Sequence, residues 1–131
     1  MTSLSDEALH RLSDLSWSVR KRARILGPTA VGCAALSTSG AMYGGCNIEH
    51  RFRSHDIHAE VNTLGTMVSA GDEHLAAVLI AAERERFTPC GACLDWIFEL
   101  GGGDCIVAVQ TRHGGHIESL LARELMPHYP R

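Results

Sequence analysis

The sequence predicts an α/β fold, a three-layer α/β/α sandwich around a five-stranded mixed sheet. Three observations point to it. Leu75 to Ala82 and Cys105 to Gln110 are continuous apolar runs too short for most helices, and they read as strands buried on both faces. Segments of helical periodicity lie between the strand-like runs. Glycine pairs and triplets mark the boundaries.

Taken in order, Leu4, Ala8, Leu12, Leu15 and Val19 recur at helical spacing behind the acidic start Ser5-Asp6-Glu7, which predicts a helix from about Ser5 to Arg22. Gly27-Pro28 ends that segment. Ala30 to Ser37 is small and apolar and reads as a strand. Ser39-Gly40 turns it, and Ala41 to Ile48 returns as a hairpin. His55 to Ala70 reads as a second helix, with Asp56 as N-cap. After the strand at Leu75 to Ala82, Pro89 starts a third helix that runs to Leu100, because proline suits a first helical turn. Gly101-Gly102-Gly103 stops it. Cys105 to Gln110 follows, then a tight turn at Gly114-Gly115 and a short strand over His116 to Ser119. Leu120 to Met126 closes as a short helix before Pro127.

Composition bounds the function. The 131 residues make one domain, 1–131, with an ordinary 45% hydrophobic and 21% charged content. A net charge of −3 argues against general affinity for nucleic acid. The basic cluster Arg20-Lys21-Arg22 with Arg24 reads as the solvated end of the first helix. No run approaches the roughly 18 apolar residues of a membrane span, and Met1 to Leu12 lacks the apolar stretch of a signal peptide. Five cysteines, two of them in a Cys-x-x-Cys, argue for reduced thiols and a cytoplasmic setting. Cys33, Cys46 and Cys105 fall in strand-like segments and read as buried small hydrophobes.

The chemistry concentrates in two clusters, His58-Ala59-Glu60 and Pro89-Cys90-Gly91-Ala92-Cys93. Both fall at predicted helix starts, where the helix dipole favours thiolate, the form that binds metal. Cys90 and Cys93 are one turn apart and share a face. Each helix follows a strand, so the clusters are expected to meet beyond the ends of adjacent parallel strands. Two thiolates, a neutral imidazole and a dication sum to zero charge, a balanced Zn2+ site with a position left for water. Glu60 is then free to carry protons. A Cys-x-x-Cys alone also marks structural zinc clips and redox pairs; a closed clip needs a fourth ligand, for which His50, His55 and His74 are available. The whole His-x-Glu … Pro-Cys-x-x-Cys pattern is that of the zinc deaminases.

With these motifs in view, the chain resembles the cytidine deaminase family, in particular its short form, over roughly Leu26 to Met126. Val31-Gly32-Cys33-Ala34-Ala35-Leu36 is similar to the family's first strand, Gly45-Cys46-Asn47-Ile48-Glu49 to its Gly-Cys-Asn-x-Glu, and Glu124-Leu125-Met126-Pro127 to its C-terminal Glu-Leu-Leu-Pro. The resemblance implies that His58, Cys90 and Cys93 hold zinc and that Glu60 is the proton shuttle. It also implies that Asn47 and Glu49 bind the sugar hydroxyls, with Ala59 on the substrate side, and that the assembly is a homotetramer. The implied reaction is hydrolytic deamination of cytidine, deoxycytidine or a related aminopyrimidine nucleoside. Residues Thr111 to Gly115 are too few for a crossover, so the last two strands should be antiparallel, as in the nucleoside branch and unlike the polynucleotide-editing branch.

Several positions depart from the family. Leu26 and Thr29 stand where it carries an aromatic pair, Cys93-Leu94-Asp95 where it carries Cys-Arg-Gln, and His58 where short forms more often carry cysteine. At the C-terminus only His128 and Tyr129 are available to close a neighbouring site. These departures leave two other readings open: deamination of a modified nucleoside such as blasticidin S, and a catalytically silent zinc-containing nucleoside-binding module.

Overall fold

The computed structural model describes residues 4–129; residues 1–3 and 130–131, part of the expected single domain, lie outside the described residues. The first helix, α1, spans Asp6–Arg20, and the Ser5 side chain caps it by accepting the Ala8 N–H at 3.1 Å. Strands β1 (Val31–Ser37) and β2 (Met42–Cys46) form the expected antiparallel hairpin, turned at Gly40 with φ of 94°. Helix α2 spans Ala59–Ser69, β3 Leu75–Ala82 and α3 Gly91–Gly101. Strands β4 (Ile106–Gln110) and β5 (Ile117–Leu121) are antiparallel, and α4 (Ala122–Leu125) closes the order.

The sheet order is β2-β1-β3-β4-β5, with β3 and β4 parallel and the other three pairs antiparallel. The alternation of side chains along each strand divides the core into two layers. Ala34, Ala77, Leu79 and Ala108 face α1 through Leu12. Cys33, Ala35, Val78, Ile80 and Val107 face the other way, onto Leu64 and Met67 of α2 and Ile97 of α3. This is the three-layer mixed-sheet fold expected. Small residues let α1 sit close: a Cβ on Gly32 would lie 2.0 Å from the Ser16 carbonyl oxygen. Ser16 also donates its hydroxyl to the Leu79 carbonyl at 2.9 Å, and Trp17 donates to Gln110 Oε1 at 2.7 Å.

Three local expectations are corrected. The second helix begins at Ala59, not His55, and Asp56 does not cap it. Arg53–His55 form a single 3-10 turn, and the Asp56 carboxylate accepts instead from the His50 N–H at 2.7 Å and from Arg53 at 2.9 Å. The third helix begins at Gly91, with Pro89 and Cys90 still extended ahead of it. The strands that lead to the two clusters, β2 and β3, run the same way but are not adjacent, since β1 lies between them. The clusters meet because α2 and α3 lie on the same face and start from the same end of the sheet, beyond the last residues of β2 and β3.

Candidate metal centre and adjoining cleft

His58 occupies the N-cap of α2 and Cys90 the N-cap of α3, both with extended backbones. Cys93 lies one turn along α3. His58 Nδ1 is 3.3 Å from Cys93 Sγ and 3.4 Å from Cys90 Sγ, and the three donor atoms all lie within 4.8 Å of one another. Donors around a tetrahedral zinc, at 2.0–2.3 Å from the ion, stand about 3.6 Å apart, so the observed spacing fits that ion. The donor chemistry fits as well: two sulfurs and an imidazole are a borderline-soft set. Among the described residues no fourth side chain of ligand type joins the group. His50 is engaged elsewhere, with its ring against Phe52 and His55 and its Nδ1 accepting the Phe52 N–H at 2.9 Å. The group is therefore an open three-donor set rather than a closed clip.

At Cys93 burial works against the expected helix-end effect. This thiol is fully buried, and burial pushes it far above the usual range, with the Glu60 carboxylate and Cys90 adding to the effect. A dication reverses that balance, because it pairs with the thiolate directly. Cys33 and Cys105 are buried as expected, while Cys46 is only half-buried.

Glu60, the second residue of α2, is 4% exposed. Burial raises its carboxyl above the ordinary value, opposed by its own backbone N–H, by His58 and by Cys93. Asn47 and Glu49 follow β2. Asn47 accepts the Val31 N–H at 2.9 Å and donates to the Thr29 carbonyl at 3.0 Å. Glu49 accepts the N–H groups of Leu26 at 2.6 Å and Gly27 at 2.8 Å, and its other oxygen pairs with Arg53 at 3.0 Å. Those backbone donors, Gly27 first, hold its carboxyl below the ordinary range.

One cleft of about 440 Å³ joins these groups, a volume suited to a small-molecule ligand. Asn47, Glu49, His58, Ala59, Glu60 and Cys90 all line it, while Cys93 lies buried among the donors. Of the two departed positions, Thr29 lines the cleft, whereas Leu26 is 55% exposed and offers Glu49 its backbone N–H. Sequence reasoning missed the segment between β3 and α3, from which Arg84, Arg86, Phe87 and Thr88 line the cleft. The signal available was a charged run, Glu83-Arg84-Glu85-Arg86, directly ahead of a ligand motif. Tyr129 packs on its own chain: its ring stacks on Phe98 at 4.1 Å and its hydroxyl donates to Asp95, both on α3.

The family model of the cytidine and deoxycytidylate deaminase zinc-binding region matches residues 6–109. The chain belongs to that family. The cytidine deaminase of Sporosarcina psychrophila is 36% identical over 98 residues, covering 74% of this chain and 71% of the relative. That of Halalkalibacterium halodurans is 32% identical over 98 residues, covering 74% of each. Among solved structures, the cytidine deaminase of Burkholderia pseudomallei superposes with a TM-score of 0.83 at 25% identity, over 95% of this chain and 98% of that one. The Mycobacterium leprae cytidine deaminase shares the fold at a TM-score of 0.79 and 20% identity, over 92% of this chain and 98% of that one. The chain is a zinc-dependent, cytidine deaminase-type enzyme, and the open set of His58, Cys90 and Cys93 is where the family's zinc fits.

Proposed function

We propose that the chain hydrolyses cytidine, deoxycytidine or a closely related aminopyrimidine nucleoside to the uridine form and ammonia, with His58, Cys90 and Cys93 as the zinc ligands. The observation that carries this reading is the buried carboxyl of Glu60 at the donor group, inside a cleft that also contains Asn47 and Glu49. Zinc, when bound, supplies a Lewis acid that brings the pKa of a water to about 7. Glu60 takes one proton of the attacking water and passes it to the ring nitrogen, then carries the second, from the hydroxyl added at the carbon, to the amino group that leaves as ammonia. Burial raises its pKa above the ordinary carboxyl value, which favours holding a proton between the two transfers.

Asn47 and Glu49 face the sugar hydroxyls with whatever lone pairs their backbone partners leave free, and Ala59 offers a surface without bulk. One sheet with helices on both faces supports reading residues 1–131 as a single domain. All five cysteines are free, which supports a reducing, cytoplasmic compartment. No helix among the described residues is long and apolar enough to cross a membrane. The homotetramer rests on the resemblance to the short cytidine deaminases.

The test is ammonia release from zinc-loaded protein across cytidine, deoxycytidine, cytosine and adenosine, repeated with Glu60→Gln. Activity should fall on the pyrimidine nucleosides. The variant should keep its zinc, read by metal analysis, and lose about 10²–10⁴-fold or more in turnover. Full turnover in the variant rejects Glu60 as the proton carrier.

A further inference from the structure

The charges around the cleft do not all find partners. Arg53 is taken up by Glu49 at 3.0 Å and Asp56 at 2.9 Å. Glu83, next to the segment that leads to α3, is held by Arg20 at 3.1 Å. Arg84 and Arg86 are exposed and line the cleft, and among the described residues neither guanidinium has an ion pair or a side-chain hydrogen bond. Glu85, between them, does not line the cleft.

The metal site does not neutralise this pair. Two thiolates, an imidazole and a dication sum to zero. Two guanidinium groups facing one cleft repel each other until an anion enters between them. Arginine's planar fork also suits oxyacid groups, which it binds by paired, charge-assisted hydrogen bonds. An exposed arginine on a loop is usually only solvated. These two instead run against a chain net charge of −3 and border the cleft that contains the reacting groups.

We propose that Arg84 and Arg86 form an anion subsite, so that this cleft prefers a nucleoside bearing a phosphate monoester or carboxylate over the uncharged nucleoside. The inference rests on the reading of the cleft as a nucleoside site, and the test separates the two. Uridine, uridine 5′-monophosphate, uridine 3′-monophosphate and the 5′-carboxylate of uridine are product-side ligands that the enzyme does not consume. Each is titrated calorimetrically into the zinc-loaded protein at low salt, and again into an Arg84→Gln/Arg86→Gln variant.

At least one anionic ligand should bind about tenfold or more tightly than uridine. Which one does so distinguishes phosphate from carboxylate. That ratio should fall toward one in the variant, and also in the unaltered protein as salt rises, because exposed charges are screened. Uridine binding at least as tightly as every anion overturns the subsite alone. So does an anion preference that survives in the variant. Binding of none of the four ligands overturns the nucleoside reading and the subsite with it.

Discussion

Glu60 and Glu49 line one cleft and sit in opposite electrostatic regimes. Burial raises Glu60, while the N–H groups of Gly27 and Leu26, with Arg53, lower Glu49. Two carboxyls pushed apart in this way can divide the work, one moving protons and one staying charged. A carboxyl with a lowered folded-state pKa contributes stability above its unfolded value of about 4.3, and that contribution disappears as pH falls through the folded value. Glu49→Gln should therefore melt below the parent at pH near 7, with the gap closing below about pH 4. Thermal melts across that range would show it, and a gap independent of pH would mean that the charge of Glu49 does not hold segment 26–31. At this scale the sequence was most legible for donor type, since His58, Cys90 and Cys93 do come together. It was misleading for Asp56, which has the right type and place for a helix cap but satisfies the His50 N–H instead.

Helix α1 and strand β1 meet at a contact that admits no side chain. A Cβ on Gly32 would lie 2.0 Å from the Ser16 carbonyl and 2.8 Å from Arg20 Cβ, and Ser16 is itself tied to Leu79. Gly32→Ala should destabilise the fold by about 1–3 kcal/mol or more, as overpacking does in close-packed interiors. Gly65 on α2 has nothing within 4 Å of a built Cβ, and Gly65→Ala should stabilise by roughly 0.5–1 kcal/mol through helix propensity. Urea unfolding of both variants checks the pair; an unchanged midpoint for Gly32→Ala would place α1 farther from the sheet. Strand β3 was read to the residue because a fully buried strand is apolar at every position and polar residues bound it. Helix starts were less legible. His58 and Cys90 sit outside the helices they introduce, and periodicity cannot distinguish an N-cap from a first turn.

Metal binding should be coupled to the fold of the whole molecule, since the proposed ligands stand at the starts of two helices far apart in sequence. A metal that binds only the folded chain stabilises it by RT ln(1 + [L]/Kd), about 4 kcal/mol at a thousandfold excess over Kd. Chelation should lower the melting temperature and added zinc should restore it. A melt indifferent to chelation would remove His58, Cys90 and Cys93 as a folded-state metal site. Light scattering should give a four-chain mass, and a monomer would reject the proposed assembly.

By itself the sequence determined the donor types, the buried strands and the antiparallel closing pair, because each is written in a few consecutive residues. Only the tertiary structure decided that β1 separates the two strands leading to the clusters, and that Arg84, Arg86 and Phe87 share a cleft with Asn47 and Glu49. The physical reason is range. Periodicity and capping act over one turn or one strand, whereas strand order and loop packing follow from burying both faces of the sheet at once, which no short segment encodes.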